Sequence, residues 1–242
     1  MAAAPIVMYV NNRRRMQQSY CDGIISESSD TPYYAIERLY LVNTLPTLNT
    51  HILRQEIEKV SAISDEDFAR FLALFKPFTV KRGEFFYRAG EIPRYSPFIV
   101  KGCMRKYFNN EDGEEQIVFF AEESWFAGEL QCMRTGTKTE MYLQALEDCE
   151  VLGITLENAE YGLNNIPAYK RWFDVTYPTM HNRIIQEATR LKSDTPESLY
   201  LRLLKNRPSL ILRVPQHYLA NYLGITTETI SRIKKKIAQG NS

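Results

Sequence analysis

Histidine is scarce in this chain, with 3 in 242 residues, and the four cysteines Cys21, Cys103, Cys132 and Cys149 are scattered without a Cys-x-x-Cys pair. That spacing offers no zinc ligand set and no disulfide framework, and it fits a reducing cytoplasm. No apolar run approaches the roughly 18–20 residues that cross a bilayer, so no membrane association is expected. The opening MAAAPIVMYVNNRRR puts a short apolar stretch ahead of its arginines, the reverse of an export signal. No nucleophile–base pair, paired carboxylates or metal cluster emerges, which argues against an enzyme. Net charge is lacking too: 30 Lys+Arg stand against 29 Asp+Glu, a formal +1.

That neutrality hides a separation. Residues 51–160 carry 13 Lys+Arg against 20 Asp+Glu, whereas residues 192–242 carry 9 against 3. An acidic body joined to a basic C-terminal piece suggests two domains, the second facing a polyanion.

Residues 1–50 show no sustained period and read as a poorly ordered extension of unknown role. From His51, HILRQEIEKV and SDEDFARFLALF have apolar residues at helical spacing, and Ser64 is a good N-cap for the second. Between Phe78 and Ile154, short segments rich in Phe, Tyr, Val and Ile alternate with glycines. FIVKGCMRKYF and EQIVFFA flank NNEDGE, where Asp112-Gly113 is a strong hairpin signal. Many short strands with glycine turns predict a closed sandwich or barrel.

Helical spacing returns after Pro167. Tyr169, Trp172, Phe173, Thr176, Met180, Ile184, Ala188 and Leu191 form a stripe over about 36 Å of helix, long enough to pack on the β domain and on a second copy of itself. Pro178 is expected to kink or split that helix near Asp174–Pro178. Thr195 can cap a further helix, ESLYLRLLKN, which Arg207-Pro208 should end.

The last segment, HYLANYLGITTETISRIKKKI, reads as two helices around a tight turn. Gln216 to Leu223 is the first, Gly224 the turn, and Thr226 caps the second, which runs to about Ile237. Leu219, Leu223, Ile225, Ile230 and Ile233 supply the contacts between them, with small Ala220 where they approach. This is a helix-turn-helix pattern. With Ile230, Ile233 and Ile237 turned inward, Thr227, Glu228, Ser231, Arg232 and Lys235 project outward to suit a major groove. Arg can bond guanine and Glu can accept from cytosine, while Thr226, Thr227 and the lysines suit phosphates.

The order of parts resembles the Crp/Fnr superfamily of bacterial transcription regulators, over about His51 to Ala238, most specifically in FIVKGCMRKYFNNEDGEE, WFAGEL and GITTETISRIKKKI. The short ending looks most like members from Bacteroidetes. The resemblance implies an α+β protein with an N-terminal β-roll (a double-stranded jelly roll), a long dimerisation helix and a C-terminal helix-turn-helix. We place the cyclic-nucleotide-binding-type sensor at 51–160, the dimerisation helix and hinge at 161–194, and the DNA-binding domain at 195–242. The dimer interface is expected at Tyr169, Phe173, Met180, Ile184 and Leu191.

In relatives that bind cyclic AMP, the phosphate cassette begins Gly-Glu-Leu and later has an Arg. Here Gly128, Glu129 and Leu130 match the beginning, but the Arg position falls on Thr139, followed by Glu140. The cation is missing and a carboxylate is present. Like charges about 4 Å apart repel by about 4 kcal/mol at an effective dielectric near 20. These five residues therefore read as a degenerate pocket, with Gly128 for a turn and Glu129 for a local hydrogen bond, improbable for cyclic AMP.

Iron–sulfur and haem sensing fare no better, with only Cys21 near the N-terminus and His51, His181 and His217 isolated. The expected protein is a homodimeric, DNA-binding regulator without cofactor. Its partners are double-stranded DNA, a second copy, RNA polymerase as a candidate, and an effector of unknown identity. Alternatives are a cyclic-nucleotide-gated regulator, or a ligand-binding module whose basic tail docks an acidic protein.

Overall fold

The computed structural model describes residues 48–239, which fall within one compact unit of the chain. The expected extension lies outside the described residues except for its last three positions, and Cys21 lies outside them as well. Two short helices come first, α1 (His51–Glu58) and α2 (Asp65–Leu72). The Ser64 hydroxyl accepts a hydrogen bond from the Asp67 N–H, and Asp65, Glu66 and Asp67 sit at the positive end of the α2 dipole.

Seven strands follow: β1 (Phe75–Val80), β2 (Phe85–Tyr87), β3 (Ser96–Lys101), β4 (Met104–Asn109), β5 (Glu115–Ala121), β6 (Tyr142–Ala145) and β7 (Cys149–Ile154). They form two antiparallel sheets, β1-β7-β3 and β2-β6-β4-β5. The run FIVKGCMRKYF is two strands, because Gly102, at φ +105°, turns the chain between β3 and β4. The hairpin around Asp112-Gly113 joins β4 to β5, with Asn110 Oδ1 accepting from the Asp112 and Glu114 N–H groups.

The two-residue period sorts the core into layers. Cys149 and Val151 join Ile99, Met104, Ala121 and Leu143 inside the roll. Leu152 and Ile154, on the other face of β7, pack with Phe98, Phe71 and Phe75 under the helices. On the second sheet, Tyr107, Ile117 and Phe120 face outward yet are buried, against Leu199, Leu203, Leu219, Tyr222 and Ile230 of the C-terminal helices.

Those helices are α3 (Leu130–Thr135), α4 (Leu156–Asn165), α5 (Pro167–Ser193), α6 (Pro196–Asn206), α7 (Pro208–Arg213), α8 (Gln216–Leu223) and α9 (Thr227–Ala238). Pro178 does not split α5, which runs unbroken over 27 residues. Its loss of one backbone bond is tolerated in a helix whose Tyr169 and Trp172, about two turns upstream, are anchored in the core beside Phe71 and Phe126. Arg207-Pro208 ends α6 as expected, but Pro208 also starts the short α7, which the sequence pattern did not reveal.

Gly102 tests the packing between the sheets. A Cβ there would lie 2.5 Å from the Cys149 sulfur and 2.9 Å from its Cα. Gly102→Ala should therefore destabilise the protein by about 2–4 kcal/mol, through overpacking and the left-handed backbone together. Urea unfolding should show a lower midpoint with an unchanged slope.

Candidate nucleic-acid interface and sensor pocket

The helix-turn-helix forms from the residues that predicted it. Gly224 (φ +65°) ends α8 in the left-handed conformation, and the Thr226 hydroxyl caps α9 by accepting from the Thr229 N–H. Leu219, Ala220, Leu223, Ile230 and Ile233 are buried between the two helices and the rest of the domain. Each fully buried Leu or Ile contributes about 1.5–3 kcal/mol.

On the opposite side of α9, Thr226, Glu228, Ser231, Arg232 and Lys235 are exposed and Thr227 is half-buried. Arg232 touches only the Thr229 hydroxyl, at 3.3 Å, so its guanidinium is available to an incoming acceptor. Hydrogen bonds from its own N–H and from the Thr226 and Thr227 hydroxyls hold the Glu228 carboxyl below the usual range, so it is ionised at neutral pH.

The pattern did not reveal Gln216. Its amide donates to the Thr227 carbonyl (2.9 Å) and the Ser231 hydroxyl (3.0 Å), and its carbonyl oxygen accepts from Lys234 (3.3 Å). Ser231 is thus engaged by its own domain. A polar residue at the half-buried start of the first helix, opposite a Thr and a Ser on the second, was the available signal.

In the β-roll, WFAGEL lies along β3. Ile99 N–H donates to the Trp125 carbonyl, Ala127 N–H to Pro97, and the Tyr87 hydroxyl to the Ala127 carbonyl (2.9 Å). Gly128 is needed for close approach rather than for a turn: its φ is ordinary, but a Cβ would lie 2.2 Å from the Ser96 Oγ.

The expected lack of a cation beside the cassette is corrected by the structure. Lys106, pointing inward from β4, forms an ion pair with Glu129, and its ammonium lies 3.5 Å from the Gly128 carbonyl and 5.3 Å from the Phe119 ring centre. The Lys106 and Glu129 side chains are 9% and 17% exposed. Glu129 therefore serves an ion pair rather than a lone hydrogen bond. The signal for Lys106 was its place between Met104 and Phe108 on alternate positions of a strand, where an inward lysine needs a partner.

Thr139 and Glu140 do not join Lys106 and Glu129. Thr139 is buried, bonded through its backbone to Gly90 and Glu91 and through its hydroxyl to the Met141 N–H, while Glu140 is exposed. Leu130 lines a groove of about 380 Å³ along α5 with Trp125, Phe126, Trp172, Phe173 and Tyr177. Burial pushes the Cys103 and Cys149 thiols up to about 12, so neither is a ready nucleophile. Among the described residues no His, Cys, Asp and Glu cluster could hold a metal, and no helix is long and apolar enough to cross a membrane.

Of the expected dimer residues, Tyr169 is 3% exposed, stacks with Trp172 and packs at a tilt on Phe71 of its own chain. Leu191 packs toward the C-terminal domain. Phe173 and Met180 are half-buried, and Ile184 is exposed beside Tyr177 and Ile185.

Residues 77–163 match the cyclic nucleotide-binding domain family. The transcriptional activator protein anr of Pseudomonas aeruginosa is 27% identical over 175 residues, covering 66% of this chain and 69% of that protein. Two solved structures share the fold. The c-di-GMP-responsive global regulator CLP of Xanthomonas campestris gives a TM-score of 0.58 at 18% identity, over 73% of this chain and 93% of that one. FixK2 from Bradyrhizobium japonicum gives 0.56 at 22%, over 69% and 86%.

The Lys106–Glu129 pair has a measurable signature. Lys106→Met should cost about 2–4 kcal/mol, because it leaves a largely buried carboxylate without its cation. The double variant Lys106→Met/Glu129→Leu should recover to within about 1 kcal/mol of wild type. A double-mutant cycle by chemical denaturation checks both.

Proposed function

We propose that this chain, which belongs to the Crp/Fnr type of regulators, acts as a homodimeric transcription regulator that reads a palindromic operator with the exposed face of α9. The observation that carries the reading is that face. Glu228, Arg232 and Lys235 stand clear of the body on a capped helix, held by a buried apolar seam on the other side. An ionised carboxylate and a guanidinium four residues apart are one helical turn apart on the same face, the spacing at which side chains reach neighbouring base pairs.

Dimerisation through α5 is supported by the apolar groove that Phe173, Tyr177 and Met180 share with Trp125 and Phe126. Ile184 and Ile185 extend the apolar surface along the same helix. A second copy would carry the same stripe, and a two-fold pair of α9 helices calls for half-sites about 34 Å apart.

The pocket reads as degenerate because its one inward cation is already neutralised by Glu129. One observation favours a second reading: Lys106 and Glu129 together are the cation and the acceptor that a phosphate and a ribose hydroxyl would require. Calorimetry with cyclic AMP decides between them. Saturable heat that Lys106→Met abolishes supports the cyclic-nucleotide-gated alternative, and no heat supports the degenerate pocket.

Selection of a random DNA library by the purified protein at near-physiological salt tests the function directly. The expected outcome is enrichment of a palindrome. Arg232→Ala should then relax preference at one symmetric position with a loss of about 1–3 kcal/mol per half-site, while equal weakening on all sequences would reduce Arg232 to a phosphate contact.

A further inference from the structure

Two successive residues of α8 tie the DNA-binding domain to two different parts of the body. β5 is the edge strand of the four-stranded sheet, so alternate backbone groups on its outer side have no strand to pair with. The Asn221 side-chain amide takes the place of that strand. Its Oδ1 accepts from the Ile117 N–H (2.8 Å) and its Nδ2 donates to the Glu115 carbonyl (2.7 Å). An amide is the one side-chain group of this length that offers donor and acceptor side by side, as a peptide does.

Tyr222 follows. Its ring stands edge-on to Phe120 of the same strand, with centroids 5.4 Å apart, and its hydroxyl donates to the Glu187 carboxylate of α5 at 2.5 Å. Asn221, Tyr222 and Glu187 border a cavity of about 490 Å³ together with Phe119, Met180 and Ile184, so roll, long helix and C-terminal domain meet there.

α8 and α9 move as one piece, because the buried seam and the Gln216 bonds join them. The angle at which α8 is held therefore fixes where α9 stands relative to α5. In a dimer built on α5, that angle sets the separation of the two reading faces. The docked arrangement leaves those faces open, so these contacts orient the domain without covering it.

We infer that Asn221 and Tyr222 are positioning residues for operator recognition: they set the distance between the two α9 helices without touching DNA themselves. The inference rests on the functional reading above and adds the device that registers one half-site against the other.

The test uses the palindrome enriched by the wild-type protein, a duplex carrying one half-site, and a scrambled duplex. Palindromes with one base pair added or removed at the centre complete the set. Asn221→Ala removes both bonds to β5, and Tyr222→Phe removes only the hydroxyl bond to Glu187 and preserves the ring. Half-site binding by each variant is expected within twofold of wild type. Affinity for the palindrome should fall at least about tenfold, because the second half-site is no longer presented in register. The penalty for a shifted centre should shrink.

A loss shared equally by half-site and palindrome would show a defect in the domain itself and overturn the inference, as would unchanged affinity for the palindrome in both variants. Thermal unfolding of the conservative Tyr222→Phe variant, expected to stay cooperative, separates a displaced domain from an unfolded one. Wild-type protein that binds palindrome and scrambled duplex alike overturns the functional reading and the inference with it.

Discussion

An antiparallel sheet can leave one face in water only if that face is polar, and the second sheet of this roll does not have such a face. Tyr107, Ile117 and Phe120 point outward from it, and they are buried because the C-terminal domain covers them. Around that apolar patch the polar groups find partners as well. Arg105, 3% exposed, lies between the rings of Tyr107 and Tyr218, 4.2 and 4.1 Å from their centres, and bonds Glu115 and Gln144. Arg207 bonds Glu122 and the Phe120 carbonyl, and Ser209 bonds the same carboxylate. The C-terminal helical domain is thus part of the roll's core, not a module on a free tether, and its orientation follows from satisfying this face.

The same packing changes how the charge separation should be understood. The basic excess of residues 192–242 is not all directed at a polyanion. Much of it faces the acidic roll of the same chain. Arg213 makes two bonds of 2.8 Å to Glu123 and two to Glu147, from Nε (3.1 Å) and Nη2, and Arg207 is held by Glu122. Although burial works to raise the Glu123 carboxyl, Arg213 and the Gly102 N–H hold it below the usual range. Arg202 pairs with Asp194 of the hinge, and Lys236 with Glu197 within the domain itself. What remains outward on α9 is Arg232, Lys234 and Lys235, with Lys234 leaning on Gln216. The net charge of the segment overstates its pull on DNA. A compact cluster on α9 is left, and its effect comes from placement.

Local signals were legible, and non-local ones were not. The helix-turn-helix could be read because a small residue, a glycine, a capping threonine and five apolar positions all act within twenty residues. The hairpin at Asp112-Gly113 and the cap at Ser64 were readable for the same reason. Lys106 and Glu129 are twenty-three positions apart, and only closure of the roll brings them together, so a count along the cassette found Thr139 and Glu140 instead. Asn221 bonds a strand more than a hundred residues away, and nothing near it in sequence marks it as more than a surface residue of α8. Pro178 is the reverse case: a local signal for a break lies inside a helix that continues on both sides of it.

The interior of the roll beside WFAGEL then follows the logic of the Lys106–Glu129 ion pair. A lysine directed into a roll must be neutralised, and here Glu129 does so without help from outside. An anionic effector that reaches Lys106 has to displace that carboxylate, and the cost of moving Glu129 falls only if the same molecule offers it hydrogen-bond donors. The ligands that satisfy both demands carry an anion next to hydroxyl or amino groups. A simple anion brings the repulsion of Glu129 with it. The cassette next to Lys106 is pinned to β3 by backbone bonds, and β3 leads through Gly102, whose N–H is held by Glu123, the same carboxylate that grips Arg213 of the C-terminal domain. A shift of the cassette would therefore be felt at the docking surface through one short, bonded stretch of chain.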